Sequence, residues 1–318
     1  MLGDFWVRKS FLFLKQKPPN KGRVFWFFLV VQDTFERRPI MKVGVELEGF
    51  VYYRGSQYEK PVDVYRWLLE NHNDEEWEVE DGNGTIVKTD AGYHMIELAL
   101  PPVDIRDLGS IPETINSIVR EFPRNWEFRW QGYDPGRLPA KDLWAPKQRY
   151  FALKKALKME SPENWWRVEE ISKIASVHVH LDVDFQDRDR VVALLNIFNN
   201  ADGLRERFAT RQRANKWFGW ADPRRLPNKK NGRIFSSYKD LEEFIGAIPR
   251  LLKQENGSLE PDLNTRCQLG DRLSESTLWW WARPRKSLRT IEVRIADSMN
   301  PKQIPQYIGE LLAIAKLV

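Results

Sequence analysis

The 318-residue chain has a single cysteine, Cys267, so it can form neither an internal disulfide nor a cysteine-rich zinc site. It lacks any apolar run near the roughly 20 residues that a membrane-spanning helix needs. It also lacks the Gly-x-x-x-x-Gly-Lys-Ser/Thr loop, which excludes a P-loop nucleotide site. Residues 1–40 do not have the order of a cleavable signal peptide. Together these absences favour a reducing compartment, and the cytoplasm is the expected location.

The chain also lacks net positive charge outside residues 1–40. The net charge is +5, and residues 1–40, with eight Lys/Arg against three Asp/Glu, account for all of it. The remainder is formally neutral and lacks the general electrostatic excess on which binding to a phosphate backbone relies. We therefore expect neither a nucleic-acid nor a membrane partner.

Residues 1–40 differ in composition from the rest of the chain. They contain nine aromatic residues and a helix-breaking Lys-Pro-Pro-Asn-Lys-Gly segment at 17–22. Two interpretations stay open: an ordinary basic, aromatic-rich extension, or a poorly ordered segment ahead of a natural start at Met41. Residues 41–318 are predicted to form one catalytic domain.

From Met41 onward, the patterns predict alternating strands and helices. Strands are predicted at 42–52, 77–80, 94–100, 126–130, 176–185 and 290–295, the third ended by Pro101-Pro102. Helices are predicted at 62–70, 110–122, 148–157, 188–199, 238–253 and 301–317, with a Ser110-x-x-Glu113 capping box opening the second. Residues 203–236 are predicted to be loop. The resulting class is α+β with a largely antiparallel sheet.

Three predicted strands each have one apolar face and one face of charged or metal-binding groups, because side chains alternate along a strand. A solvated outer sheet face would explain one such strand. It explains three less well, since two of the four histidines lie two apart on one face. The polar faces carry Glu46 and Glu48 in the first strand, His178, His180, Asp182 and Asp184 in the second, and Thr290, Glu292 and Arg294 in the third.

Carboxylates with an occasional imidazole are the ligands of hard divalent cations such as Mg²⁺ or Mn²⁺. The Glu46 and Glu48 side chains, two residues apart on a strand, stand roughly 7 Å from each other, and such paired charges are favoured where a cation lies between them. Arginine on the same face suits an anion held beside those cations. ATP, if bound, would be held mainly by metal ions and basic side chains.

Several motifs resemble those of the bacterial and plant-type glutamate–cysteine ligases and related carboxylate–amine ligases, including their amidoligase branch. The Gly-x-Glu-x-Glu strand at 43–48 is similar to the opening strand of that family, and Glu-Leu-Ala-Leu-Pro-Pro at 97–102 to its second acidic strand. The His-Val-His strand lies at 177–182. The closing signature combines Trp-Trp-Trp-Ala-Arg-Pro at 279–284 with Thr-Ile-Glu-Val-Arg-Ile-Ala-Asp at 290–297.

The resemblance implies a glutamine-synthetase-like fold, an antiparallel sheet curved into a funnel and flanked by helices. It also implies an ATP- and Mg²⁺-dependent (or Mn²⁺-dependent) ligase that joins a glutamate-like carboxylate to an amine through an acyl phosphate. Its partners would be small-molecule substrates. The implied metal ligands are Glu46, Glu48, Glu97, His180 and Glu292; the implied substrate- or ATP-binding residues are His178, Arg283 and Arg294; and Glu48 and Arg294 are the implied catalytic residues.

The chain departs from the family between His180 and Arg283, where it is shorter. Two other classes stay open. A metal-dependent hydrolase would place His178, His180 and a glutamate around zinc. A non-catalytic module would use a tryptophan-rich surface, although Trp165-Trp166 and 279–281 are interpreted as core packing. On the ligase interpretation we expect the Glu46, Glu48 and Glu292 carboxylates to converge, with an anion between Arg294 and Glu292.

Overall fold

A computed structural model describes residues 42–55, 60–79, 84–134, 136–162, 165–209, 224–225 and 235–318, without the side chains of 165–168. The predicted extension at 1–40 and the candidate start Met41 lie outside this part of the chain. Within it, no helix is long and apolar enough to cross a membrane.

An eight-stranded antiparallel sheet organises the described residues, and it confirms the predicted α+β class. The strand order is β2-β3-β4-β1-β6-β10-β9, with β5 paired to β1, and a separate hairpin consists of β7 and β8. The bounds are β1 Lys42–Tyr53, β2 Glu76–Glu78, β3 Ile86–Lys88, β4 Met95–Asp104, β5 Trp126–Arg129, β6 Val177–Asp182, β7 Leu252–Glu255, β8 Ser258–Pro261, β9 Ala282–Arg285 and β10 Thr290–Val293.

Helices lie against this sheet and connect its strands. In the described ranges they are α1 Val64–His72, α2 Ser110–Arg120, α3 Gln148–Glu160, α4 Arg188–Asn199, α5 Asp202–Phe208, α6 Tyr238–Gly246, α7 Arg272–Ser276 and α8 Ile304–Ala315. Short 3₁₀ turns occur at Ala140–Asp142, Trp165–Lys173, Lys286–Leu288 and Pro301–Gln303.

The main hydrophobic core lies on one face of the three central strands. The alternate residues predicted to point inward do so, and they pack with the apolar sides of α2, α4 and α8 in one cluster. Burying these side chains removes apolar area from water and is the main favourable term that holds the helices on this face. Residues of the three central strands in this cluster include Val43, Val45, Leu47, Val177, Val179, Leu181, Ile291 and Val293.

The Pro101-Pro102 pair does not end β4, contrary to the prediction. The strand continues to Asp104, and Val103 pairs with Val43 of β1. The register shifts between Val43 and Val45, next to the two prolines. A bulge at this point accommodates residues that cannot donate a ladder hydrogen bond.

Two helix boundaries also differ from the prediction. Ser110 is the first residue of α2 rather than its cap, and its hydroxyl donates to the Asp107 carbonyl, so no capping box forms. Helix α6 ends at Gly246 instead of 253, because the chain enters the β7–β8 hairpin. Asn256 and Gly257 at its turn have φ of 50° and 81°, the positive values that a tight hairpin turn requires.

Candidate active site

The strand register places the predicted polar residues on one sheet face. Glu46 of β1 lies opposite His178 of β6, and Glu292 of β10 lies opposite His180 of the same strand. Glu48 of β1 lies opposite Glu97 of β4. Residues directly opposite each other in adjacent strands share a face and bring their side chains together. The polar groups of four strands thus meet on the face opposite the main core.

Glu46, His178 and Glu292 form the centre of this face. The His178 Nδ1 is 2.9 Å from Glu46 Oε2 and 3.8 Å from Glu292 Oε1. One ligand atom from each of the three residues lies within 4.8 Å of the others. The expected convergence of Glu46 and Glu292 on one side of the sheet is therefore present.

Glu48 joins this centre through Ser176, a residue that the sequence patterns did not identify. The Ser176 backbone N–H and hydroxyl donate to Glu48 Oε2 at 2.7 and 2.9 Å. The Ser176 hydroxyl is also 2.8 Å from His178 Nε2. Ser176 and Glu46 contact opposite nitrogens of the imidazole, so the orientation of the His178 ring is fixed from both sides.

Glu292 is bound by arginines on both of its oxygens. Arg283 of β9 donates from Nε and Nη2 to the two carboxylate oxygens, each at 2.8 Å. The third guanidinium nitrogen of Arg283, Nη1, donates to the Ser276 and Leu278 carbonyls, which fixes the guanidinium to the C-terminal end of α7 and the residues that follow. Such a bidentate pair is the geometry that arginine forms best.

Arg294 lies beside Glu292 and His178. It shares the face of Glu292, as predicted, but its Nη1 donates directly to Glu292 Oε1 at 2.5 Å. In this arrangement the two side chains are in direct contact, and the expectation that a substrate anion lies between them stays a prediction. Arg294 Nη1 also lies 3.4 Å from His178 Nδ1. The arginine therefore bridges Glu292 and the imidazole.

His180 lies beside the central trio, not in it. Its Nδ1 is 3.1 Å from the Thr290 hydroxyl, and its Nε2 is 3.4 Å from Glu46 Oε1. A Cβ on Gly44 would lie 3.2 Å from the His180 Cβ, tighter than most side-chain contacts. The glycine of the Gly-x-Glu-x-Glu motif thus makes room for this imidazole.

Glu97 lies on the β3 side of the same face with a partner that the sequence patterns missed. Lys88 of β3 is its register partner, and the Lys88 Nζ is 3.1 Å from Glu97 Oε1. Burial raises the pKa of Glu97 to about 7; Lys88 opposes this shift and Glu46 adds to it. Burial, then repulsion from Asp90 and Glu97, raises the pKa of Glu48 well above its ordinary value.

The pKa values of the two carboxylates in the central trio shift in the opposite direction, downward. Burial alone would raise the pKa of Glu292, but Arg283 and then Arg294 outweigh it and hold the pKa well below the ordinary value. Burial would also raise the pKa of Glu46, and contacts with His178 and His180 reverse the effect. Burial, with repulsion from Arg294, lowers the pKa of His178 to about 4, so this imidazole is neutral near pH 7.

These groups suit a divalent cation on chemical grounds. Two ionised carboxylates and a neutral imidazole whose ligand atoms lie within 4.8 Å of one another form a donor set that Mg²⁺ or Mn²⁺ accepts. Glu292 would have to release one of its arginine contacts to act as a ligand. The hydrolase alternative, with both histidines around zinc, has less support, since the trio contains His178 and not His180.

The tryptophans at 279–281 do not form a binding surface. All three side chains are buried, as the core-packing interpretation predicted. Trp280 also donates its ring N–H to the Arg224 carbonyl. The side chains of Trp165 and Trp166 lie outside the described residues.

No protein-family model matches this chain, and no curated protein matches it significantly. Among solved structures, it is similar to a bifunctional glutathione synthetase from Pasteurella multocida (14% identity, TM-score 0.44, covering 86% of this chain and 38% of that one). It is also similar to a glutamate–cysteine ligase from Francisella tularensis in complex with AMP (12% identity, TM-score 0.47, covering 82% and 62%). A third is the complex between prokaryotic ubiquitin-like protein Pup and its ligase PafA (10% identity, TM-score 0.37, covering 87% and 46%).

These proteins are of the ligase kind that the sequence motifs resemble. The chain spans between 38% and 62% of their lengths.

Proposed function

We propose that this chain is an ATP-dependent carboxylate–amine ligase, which forms an amide between a glutamate-like carboxylate and an amine. The observation that supports this most is the meeting of Glu46, His178 and Glu292 on one sheet face beside two arginines. The donor set suits a divalent cation, and the arginines suit an anion. Transfer of a phosphoryl group to a carboxylate needs both, because it depends on charge neutralisation and alignment.

In this proposal acidic groups and histidine nitrogens hold Mg²⁺ or Mn²⁺. When bound, the cation would neutralise negative charge on the phosphoryl group in flight. Glu46 and Glu292 are the best placed of the candidate ligands, with His178 neutral and able to offer a nitrogen lone pair. Glu48, Glu97 and His180 belong to the same face and complete the candidate ligand set.

The chain's own residues would align the two reactants. Arg283 is fixed by the Ser276 and Leu278 carbonyls, so it presents a guanidinium of constant orientation. Arg294 could turn from Glu292 to the transferring phosphoryl group and stabilise the charge that develops there. The carboxylate oxygen of the acyl substrate attacks the γ-phosphorus and ADP leaves. The amine nitrogen then attacks the acyl carbon, phosphate leaves, and the amine loses a proton.

The test is transfer of ¹⁸O from substrate to phosphate. The protein is incubated with ATP, Mg²⁺, an amine panel and L-glutamate labelled with ¹⁸O in its side-chain carboxylate. An acyl-phosphate route delivers one labelled oxygen to the inorganic phosphate released, which mass spectrometry detects. Other labelled amino acids extend the panel if glutamate is inert.

Two variants separate the ligase proposal from its alternatives. Glu46→Gln should abolish the transfer, whereas Glu113→Gln, an exposed carboxylate on α2, should leave it unchanged. Phosphate released without label would point to simple ATP hydrolysis. Absence of ATP consumption across the whole panel, with metal-dependent cleavage of an amide or ester, would favour the hydrolase alternative.

A further inference from the structure

Arg285 is a third arginine on the polar face, and the sequence patterns did not single it out. It lies on β9 two residues beyond Arg283, so the two side chains leave the strand on the same side. Its register partner is Thr290, at the start of β10. The residue is only 8% exposed. Arginine is seldom buried to this degree without a partner of opposite charge.

The Arg285 side chain has no close acceptor for its Nε. In the part of the chain that the structure describes, this buried nitrogen makes no hydrogen bond. The carboxylate oxygen beside it is Glu292 Oε2, at 3.7 Å, which is too far for a hydrogen bond. That oxygen already accepts from the Nε of Arg283 at 2.8 Å. Arg285 is thus near the shared carboxylate but not satisfied by it.

Three guanidinium groups lie at this end of the sheet, with two buried acidic residues near them, Glu292 and Glu275. Arg283, Arg285 and Arg294 all contact the same carboxylate, that of Glu292. Burial lowers the pKa of Arg283 to about 10, and repulsion from Arg294 and Arg285 opposes the stabilising effect of Glu292. A buried guanidinium that lacks a full counter-charge is costly, and an added anion would remove that cost.

We propose that Arg285 binds an oxyanion of a substrate at the β9 edge of the polar face, next to the Arg283–Glu292 pair. The planar guanidinium recognises carboxylate and phosphate oxygens in the same forked geometry, so both are candidate groups. That the phosphate would come from ATP and the carboxylate from an amino acid rests on the proposed ligase function. The binding itself does not, because it requires only the arginine and an anion.

The experiment measures anion binding to the full chain by isothermal titration calorimetry, without metal and without amine. The probes are inorganic pyrophosphate, for a phosphoryl source, and L-glutamate, for a carboxylate source. Arg285→Gln is compared with Lys286→Gln, which removes the same charge from the adjacent, exposed residue. We expect Arg285→Gln to weaken the binding of one probe at least tenfold and Lys286→Gln to weaken it less than twofold. The probe affected shows whether the site binds a phosphoryl group or a carboxylate.

A second measurement separates binding from structural support. In the ligand-free protein, Arg285→Gln should leave the thermal midpoint unchanged or raise it, because it removes an incompletely paired buried charge. Unchanged affinity for both probes, a wild-type chain that binds neither probe, or a lowered midpoint would each overturn the proposal. If oxyanion binding depends on Arg285 but no ¹⁸O reaches phosphate, the ligase function fails and this site stands.

Discussion

Replacing Glu292 by glutamine tests the charge balance of the site most directly. The carboxylate is almost fully buried and accepts hydrogen bonds from Arg283 and Arg294. Glutamine keeps the shape but removes the charge, so the arginines would lose their common counter-charge. Removing one partner of a buried ion pair costs about 3–5 kcal/mol. At roughly 1.7 °C per kcal/mol for a domain of about 280 residues, the thermal midpoint should fall by about 5–9 °C.

The assay is thermal unfolding followed by circular dichroism, with Glu113→Gln as the matched control. The arginines hold the pKa of Glu292 well below its ordinary value, so its contribution is present above the unfolded-state pKa and is lost only as pH falls through the lower folded-state pKa. The difference between wild type and Glu292→Gln should therefore persist at pH 5. Adding Arg285→Gln to Glu292→Gln should recover part of the loss. A midpoint equal to that of the control would refute the ion-pair reasoning.

Three further outcomes are expected. Arg294→Lys keeps a positive charge beside Glu292 but loses the planar guanidinium that would bind the phosphoryl group through two nitrogens. Ligase turnover should fall about 100-fold, which corresponds to about 2.7 kcal/mol of transition-state binding, and an unchanged rate would rule out this role. Because the pKa of Glu97 is raised to about 7, the native state binds more protons than the unfolded state between about pH 4.5 and 7, and the stability of metal-free protein should decline by up to about 3 kcal/mol as pH rises through this range. Glu97→Gln should remove this decline, which denaturant titration at pH 5 and 8 measures. A chain starting at Met41 should keep the thermal midpoint of the full chain, and an insoluble product would contradict the predicted domain boundary.

The sequence predicted which residues share the polar face, because that depends only on alternation within each strand. Glu46, His178 and Glu292 each fall on the expected side. Alternation alone could not predict which side chains touch, because those contacts depend on the register between strands that are far apart in the chain. A shift of one residue would have moved every side chain of a strand to the opposite face.

The sequence did not predict residues whose contacts form only in the folded protein. Lys88 lies on a strand of three residues, too short for alternation to be visible. Ser176 precedes β6 and carries no signal of its own. No sequence pattern distinguished Arg285 from the neighbouring Arg283, Lys286 and Arg289. Its importance comes from burial and from the carboxylate that it shares with Arg283, neither of which the sequence displays.

The carboxyl groups at the two ends of the polar face have pKa values shifted in opposite directions. Toward β9 the arginines hold Glu292 ionised, and three guanidinium groups lie beside its carboxylate. Toward β3, burial raises the pKa of both Glu48 and Glu97; repulsion from Asp90 and Glu97 adds to the shift of Glu48, and the ammonium of Lys88 opposes the shift of Glu97. An anion is therefore stabilised most at the β9 end, and the candidate cation site at Glu46, His178 and Glu292 lies between that end and the β3–β4 carboxyl groups. A substrate that carries both, such as a metal-bound phosphate, would experience a field that favours one orientation on the sheet over its reverse.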